Sequence, residues 1–489
     1  MLEPVIYDMT SPGRRGFRFP ELDVPKTDLP KGFLRKDLPL PEVSEIEIIR
    51  HFTKLSQLNH GVDTGFYPLG SCTMKYNPKI NEETARLFGF ATVHPLQPIA
   101  TVQGSLHLMF QLQEWLAEIG GYDGVSLQPA AGAQGELTGV LIIRKYHAEN
   151  GQHQRTKILI PDSAHGTNPA TSAMSGLDVV QVPSDDRGNV SIDALKAECD
   201  ETLAGFMLTN PNTLGLFEEH VCEVAEVVHE AGGLVYGDGA NMNALLGIAK
   251  PGELGVDILH FNLHKTFSTP HGGGGPGSGP VGVIENLVDF LPGPIITVLE
   301  EGDDQSPPLY GMMTPKQSIG RMKAFHGHFG VHVRAYTYIL MHGGDGLRQV
   351  SEHAVLNANY LMELLKEAYK LPYDRVCMHE FVLEGHWPEV PDVHALDISK
   401  RLMDFGFHPP TNYFPLIVRE ALMIEPTETE PKETLDAFVD AMLQISEEAH
   451  NNPDILHEAP HTTPISRLDE VHAARHLVLC CGLQEEHSG

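Results

Sequence analysis

The sequence predicts an α/β protein built on a mostly parallel sheet, followed by a smaller α+β domain. Three observations predict it. Between about residues 100 and 345, short apolar runs alternate with helical patterns. Those runs are continuously apolar rather than alternating, which suits strands buried on both faces. Beyond about residue 345 the pattern turns to long helices flanking a few strands.

The elements follow in chain order. Residues 1 to about 45 are rich in proline and charge, with Arg14, Arg15 and Arg18 near the start. They read as an extended arm laid over the molecule or over a partner subunit; a disordered tail is the plainer reading of the same composition. Strands are expected at 157–161, 179–182, 205–208, 233–236, 256–260 and 281–284, with helices between them, such as 222–231. Residues 320–342 read as one long helix leading away from the sheet. Helices at 354–368 and 432–449 are expected to flank strands near Val376-Cys377 and Leu422-Met423-Ile424. The chain divides accordingly into an arm and following segment (1–99), a large α/β domain (100–345), a small α+β domain (346–450) and a surface-wrapping tail (451–489).

Composition excludes several classes. The 489 residues carry a formal net charge of −31, which argues against nucleic-acid binding and against adhesion to anionic membranes. No run of about 20 apolar residues is present, so no transmembrane helix is expected. The N-terminus lacks a basic region followed by an apolar run, and a cytoplasmic location is the simplest inference. The six cysteines, Cys72, Cys199, Cys222, Cys377, Cys480 and Cys481, form no CxxC pair and suit reduced thiols. The 27 histidines show no HExxH or similar ligand spacing, and no metal is expected.

The chemistry concentrates around one lysine. Lys265 lies in His264-Lys265-Thr266-Phe267, followed by His271-Gly272-Gly273-Gly274-Gly275-Pro276-Gly277. An amine that loses its proton can attack a carbonyl, and Schiff-base formation with pyridoxal phosphate is the commonest use of such a lysine. Asp238 ends the strand at 233–236 and precedes Lys265 by 27 residues. A carboxylate at that edge can pair with a pyridinium nitrogen, although an Asx-turn or cap uses the same residue type. Gly132-Ala133-Gln134-Gly135-Glu136 precedes a helical pattern, where free N–H groups attract phosphate. His165, in the loop after 157–161, lies at the same edge and can stack on a ring; Thr209 ends the next strand and can contact the cofactor.

Together these residues resemble the glycine decarboxylase (P-protein) family of the glycine cleavage system, and in particular the second, β, subunit of its two-subunit form. Further motifs carry the resemblance. They include Pro68-Leu69-Gly70-Ser71-Cys72-Thr73-Met74-Lys75, His94-Pro95-Leu96-Gln97-Pro98, Ser318-Ile319-Gly320-Arg321, Cys377-Met378-His379-Glu380-Phe381 and Glu425-Pro426-Thr427-Glu428.

The resemblance implies a fold-type I enzyme with pyridoxal 5'-phosphate and a sheet of the seven-stranded type. Lys265 would hold the cofactor, Asp238 would face its ring nitrogen, and His165 would stack on the ring. Ala133 and Gln134 would cradle the phosphate, with Thr209 and Asn262 nearby. Ser71, Cys72, Lys75 and His94 would belong to the substrate pocket, Cys72 not as a nucleophile. The implied activity is decarboxylation of glycine, with transfer of the aminomethyl group to the lipoyl arm of the H-protein. A glycine-rich loop at Gly272 would help line that arm's channel. The implied partner is an α subunit (subunit 1) in an α2β2 heterotetramer. Two alternatives stay open: an aminotransferase or serine hydroxymethyltransferase, with Arg321 or Arg334 placed for a substrate carboxylate, and a silent scaffold subunit, against which Lys265 speaks.

Overall fold

The structure is a computed structural model and describes residues 3–34, 38, 40–271 and 277–479. Gly272, Gly273, Gly274, Gly275 and Pro276, and the thiols of Cys480 and Cys481, lie outside the described residues.

The large unit is a seven-stranded sheet. Its strands are β1 (Gly124–Ser126), β2 (Lys157–Pro161), β3 (Asp178–Val182), β4 (Leu203–Thr209), β5 (Leu234–Gly239), β6 (Ile258–Phe261) and β7 (Val281–Val283). They lie in the order β1-β7-β6-β5-β4-β2-β3. Neighbours from β3 to β6 pair in parallel, and β7 runs antiparallel to both β6 and β1. All seven residues of β4 are buried, as are all of β5 and β6, which explains their largely apolar character, broken only near the C-terminal ends by Thr209, Asp238 and His260.

One helix sets the height of everything above the sheet. Gly132–Glu149 begins at the glycine run itself, so Gly132-Ala133-Gln134-Gly135-Glu136 is its first turn rather than a loop before it. Its glycines allow close approach. A Cβ at Gly135 would sit 2.7 Å from the Gly279 carbonyl oxygen, and one at Gly139 would run into the Tyr236 ring. The helix therefore lies directly against β5 and β6.

A hairpin, β8 (Ile295–Glu300) with β9 (Leu309–Met313), follows the sheet. The long helix then runs from Phe329 to Leu365, with a break at Gly343 (φ 61, ψ −176). This corrects the expectation of a helix at 320–342. Gly320 and Gly327 adopt positive φ (97 and 87), and the chain bends through this stretch before the helix starts. The first half of the helix packs Val331, Ala335 and Tyr338 into the core beside the large sheet; the second half packs Ala358, Leu361 and Leu365 into the C-terminal core.

The C-terminal unit holds a small antiparallel sheet of β10 (Phe381–Glu384), β11 (Thr411–Asn412) and β12 (Ala421–Ile424), ordered β10-β12-β11. The strand expected near Val376-Cys377 forms at β10 instead. The Asn359 side chain bonds both backbone groups of Cys377, its Oδ1 accepting from the N–H at 3.1 Å and its Nδ2 donating to the carbonyl at 2.7 Å. Those groups are thereby withdrawn from any ladder.

Among the described residues the N-terminal arm carries 3₁₀ turns at Ile6–Met9 and Lys31–Phe33, a turn at Ser11–Arg14 and little other regular structure, leaving Phe17, Phe19 and Phe33 exposed. Regular helix starts at Glu45–Gln57, behind a Ser44/Glu47 capping box. Among the described residues no helix is long and apolar enough to cross a membrane.

Gly215 is where the two units meet most tightly. It has φ 77, its carbonyl accepts the Met378 N–H at 2.7 Å, and a Cβ there would overlap the Glu380 carbonyl oxygen. Gly215→Ala is expected to cost about 3 kcal/mol, combining overpacking with a left-handed backbone. A lower denaturant midpoint at unchanged slope checks this.

Candidate active site

The C-terminal ends of β2, β4, β5 and β6 open onto one edge of the sheet, where parallel sheets bind ligands. Asp238, near the end of β5, is buried there. Its Oδ1 accepts the Ala240 N–H at 3.0 Å, its Oδ2 accepts from Asn168 Nδ2 at 3.3 Å, and His260 Nε2 stands 3.5 Å away. Burial pushes the carboxyl up, but His260, Lys265 and these hydrogen bonds outweigh it, and the net shift is downward. Asp238 is an ionised carboxylate in a dry place.

Thr209 pairs in register with Asp238 across β4 and β5, and its buried hydroxyl oxygen has no protein partner among the described residues. Lys265 lies in the short helix Leu263–Thr266 after β6, and its Nζ donates to the Ser71 carbonyl at 2.7 Å. Asn262 sits under the start of the glycine helix, where a Cβ on Gly132 would collide with its Oδ1. Its Nδ2 lies 2.9 Å from His260 Nε2. Ala133 is exposed in the first helical turn, where N–H groups lack intrahelical acceptors. Gln134 turns inward: its Oε1 accepts the Ala130 N–H at 2.6 Å and its Nε2 donates to the Met322 carbonyl at 2.9 Å. The exposed His165 packs edge-on to Phe414 at 5.4 Å, and its Nδ1 accepts the Thr167 N–H at 3.2 Å.

The Ser71 segment is brought in from far away in the chain. Ser71 and Thr73 both take positive φ (62 and 48). Burial pushes the Cys72 thiol up while Lys265 pulls it down, leaving it above the usual range, so Cys72 stays a thiol. Lys75 is buried, and its Nζ donates to Asn243 Oδ1 at 2.8 Å, Glu428 Oε1 at 2.8 Å and the Tyr338 hydroxyl at 3.1 Å. Thr73 and Lys75 line a cavity of about 330 Å³ together with His60, Tyr67, His264 and His271. His94 is not brought there. It is exposed and lines a separate apolar cavity of about 130 Å³ with Phe90, Phe325 and Phe329.

Several site residues were given no role in the sequence reading, although Glu136, His379, Glu380 and Glu425 stand in motifs quoted there. Glu136, in the glycine helix, is buried beside Asp238; burial and that neighbour raise its carboxyl to about 7. Asn168 and His260 hold Asp238, and Glu380, Glu425 and His379 lie fully buried beneath Ser71. The one available signal was charge inside apolar strand patterns, as in His379-Glu380-Phe381.

The donor set fits pyridoxal phosphate. A buried carboxylate suits the ring nitrogen, the unpartnered Thr209 hydroxyl suits a ring oxygen or phosphate, the helix start suits the phosphate, and a lysine amine stands beside them.

A family model described as "Glycine dehydrogenase, C-terminal domain" matches residues 350–461, and one described as "Aminotransferase class-V" matches residues 138–274. A probable glycine dehydrogenase (decarboxylating) subunit 2 of Bacillus cytotoxicus is 58% identical over 482 residues, covering 98% of this chain and 97% of the relative. The chain belongs to the glycine dehydrogenase (decarboxylating) subunit 2 family. Another probable glycine dehydrogenase (decarboxylating) subunit 2, from Halalkalibacterium halodurans, is 58% identical over 483 residues, covering 98% of each. A crystal structure of a glycine decarboxylase (P-protein) of the glycine cleavage system shares the fold, with a TM-score of 0.72 and 22% identity, covering 85% of this chain and 93% of that one. The glutamate decarboxylase of Lactobacillus brevis shares it too, with a TM-score of 0.64 and 16% identity, covering 88% and 96%. The chain is thus a fold-type I α/β member of the glycine dehydrogenase subunit 2 family.

Lys75 and Glu428 form a buried ion pair. Lys75→Met is expected to destabilise the fold by about 3–5 kcal/mol, because it leaves a buried carboxylate without its counter-charge. Denaturant unfolding of the parent and the variant checks this.

Proposed function

We propose that this chain binds pyridoxal 5'-phosphate through Lys265, decarboxylates glycine, and passes the aminomethyl group to the lipoyl arm of an H-protein as part of a glycine cleavage system. The observation that carries the reading is the convergence of ionised Asp238, unpartnered Thr209 and the Lys265 amine at one sheet edge, in a chain of this family.

Bound to Lys265, pyridoxal phosphate supplies an electron sink for the pair left on the glycine carbon when carbon dioxide departs. Asp238 holds the proton on the ring nitrogen, and its negative charge persists because the Ala240 N–H, Asn168 and His260 are arranged around it. His165 would lie over the ring from the exposed loop after β2. Thr209 and Asn262 contact the cofactor, and Ala133 and Gln134 belong to the turn that receives its phosphate. Ser71 docks the lysine amine. Cys72 and Lys75 shape the pocket wall from within. His94 lies on its own apolar cavity, apart from this pocket, and the carrier arm's oxidised disulfide is reduced as it takes the aminomethyl group.

The subunit 2 naming of the relatives supports a partner subunit 1, and we assign the pair to an α2β2 heterotetramer in the cytoplasm. The exposed phenylalanines of the N-terminal arm suit a surface that subunit 1 covers. We divide the chain at about residues 99, 345 and 450, with the long helix crossing the second boundary. Of the two arginines an aminotransferase reading would use, Arg334 is already committed to Glu82, through Nε at 2.7 Å and Nη2 at 2.9 Å, while Arg321 is exposed.

Lys265→Ala is expected to abolish the visible absorbance of bound cofactor, and borohydride treatment of the parent should place the label on Lys265. A label on another residue refutes the assignment. Asp238→Asn is expected to retain cofactor while glycine–bicarbonate exchange slows by at least about tenfold, equivalent to about 1.4 kcal/mol. Unchanged exchange refutes the electron-sink role of Asp238.

A further inference from the structure

Below the Lys265 site lies a buried cluster with no role in the steps above. Glu380, Glu425 and His379 are each 0% exposed. Their Oε1, Oε1 and ring nitrogen atoms gather within 4.8 Å of one another. His379 Nε2 is 4.0 Å from Glu380 Oε1 and 3.9 Å from Glu425 Oε1. Neither ring nitrogen of His379 nor either Oε1 has a hydrogen-bond partner among the described residues.

The other oxygen of each carboxyl group is engaged. Glu380 Oε2 accepts the Ser71 N–H at 2.6 Å, and Glu425 Oε2 accepts the Thr73 N–H at 2.8 Å. The same segment is zipped onto the C-terminal sheet: the Gly70 N–H donates to the Met423 carbonyl at 3.3 Å, the Glu425 N–H to the Pro68 carbonyl at 3.2 Å, and Thr411 Oγ1 to the Gly70 carbonyl at 2.8 Å. The Ser71 carbonyl, facing the other way, receives Lys265 Nζ.

We propose that Glu380 and Glu425 are positioning residues for Lys265: by holding the N–H groups of Ser71 and Thr73 they fix the Ser71 carbonyl as the dock for the lysine amine whenever that amine is not bonded to the cofactor. The inference rests on Lys265 being the cofactor-bonded lysine.

Three physical arguments support it. Ser71 and Thr73 hold positive φ, which costs about 1–3 kcal/mol each and persists only where the surroundings over-determine it. Two buried carboxyl groups bonded to those two N–H groups supply that determination. Second, burial pushes both carboxyls up: Glu425 adds to the rise at Glu380, while Thr73 and Lys265 pull against it at Glu425. A proton taken up by one of the pair is the way such a cluster lowers its charge. His379 stays neutral, its imidazole pushed down to about 3 by burial and then by Lys265. Third, the cluster gathers three side chains, short of the four ligands of a closed structural metal site.

The test uses the intact chain with its partner subunit, stripped of cofactor and given pyridoxal phosphate, with the growth of visible absorbance followed in time. Glu380→Ala should slow capture by at least about tenfold, because the Ser71 N–H loses its acceptor. Glu380→Gln should restore it to within about threefold of the parent, since the amide oxygen still accepts that N–H. Thermal melting runs alongside. Glu380→Ala capturing at the parental rate, with or without a lowered melting temperature, overturns the proposal. So does Glu380→Gln as slow as Glu380→Ala, or elemental analysis finding one divalent metal ion per chain that Glu380→Ala abolishes. Should Glu380→Ala fail to fold, Glu380→Asp takes its place. Drawing the oxygen back by one methylene should also slow capture, and a parental rate overturns the inference. Borohydride mapping of the parent separates the two levels. A label away from Lys265 removes the cofactor assignment; a label on Lys265 with unchanged capture in the Glu380 variants removes only this inference.

Discussion

An anion kept charged in the absence of water governs the architecture around it. Asp238 is shut inside the protein, where burial alone would protonate it. It stays ionised because three separate segments converge on it: Asn168 from the helix Thr167–Met174 that follows β2, the Ala240 N–H from its own turn, and His260 from the neighbouring strand. Each contact demands a fixed register. His260 can face Asp238 only because β5 and β6 pair with these two residues opposite each other. The Tyr236 hydroxyl, 2.5 Å from His260 Nδ1, then locks the imidazole from behind. The close seat of the glycine helix keeps Glu136 beside the same carboxylate, and burial first, then the charge of Asp238, raises its carboxyl to about 7. Two acids side by side are therefore shifted in opposite directions, set by what each can bond to.

Legibility followed the range of the interactions concerned. The strands β2 and β4 to β7 could be read because burial on both faces imposes apolar runs, a purely local mark, while the edge strand β3 is mostly exposed and was read from its valines alone. Asp238, Lys265, Thr209 and His165 could be placed at one edge because parallel topology sends every strand end to the same side. Residue identity and chain order were enough for that. β1 has only three residues, and β8 is only partly buried, so neither carried a clear pattern. The long helix was placed too early because nothing in its composition shows that the chain bends between Gly320 and Gly327.

The Ser71 environment lay beyond sequence reasoning from residues alone. Ser71 and Glu380 are 309 positions apart, and Thr73 and Glu425 are 352 apart. No spacing rule reaches that far. The family resemblance named Ser71 and Lys75 together with His94, yet the structure divides them: Lys75 is tied into an internal ion pair, while His94 lines another cavity. Motifs adjacent in the family's fingerprint therefore do different physical jobs.

The helix from Phe329 to Leu365 belongs to both hydrophobic cores, its two halves joined through the non-helical break at Gly343. A shared beam of this kind denies the molecule any seam. Loosening of one half therefore removes packing from a helix that the other half also uses.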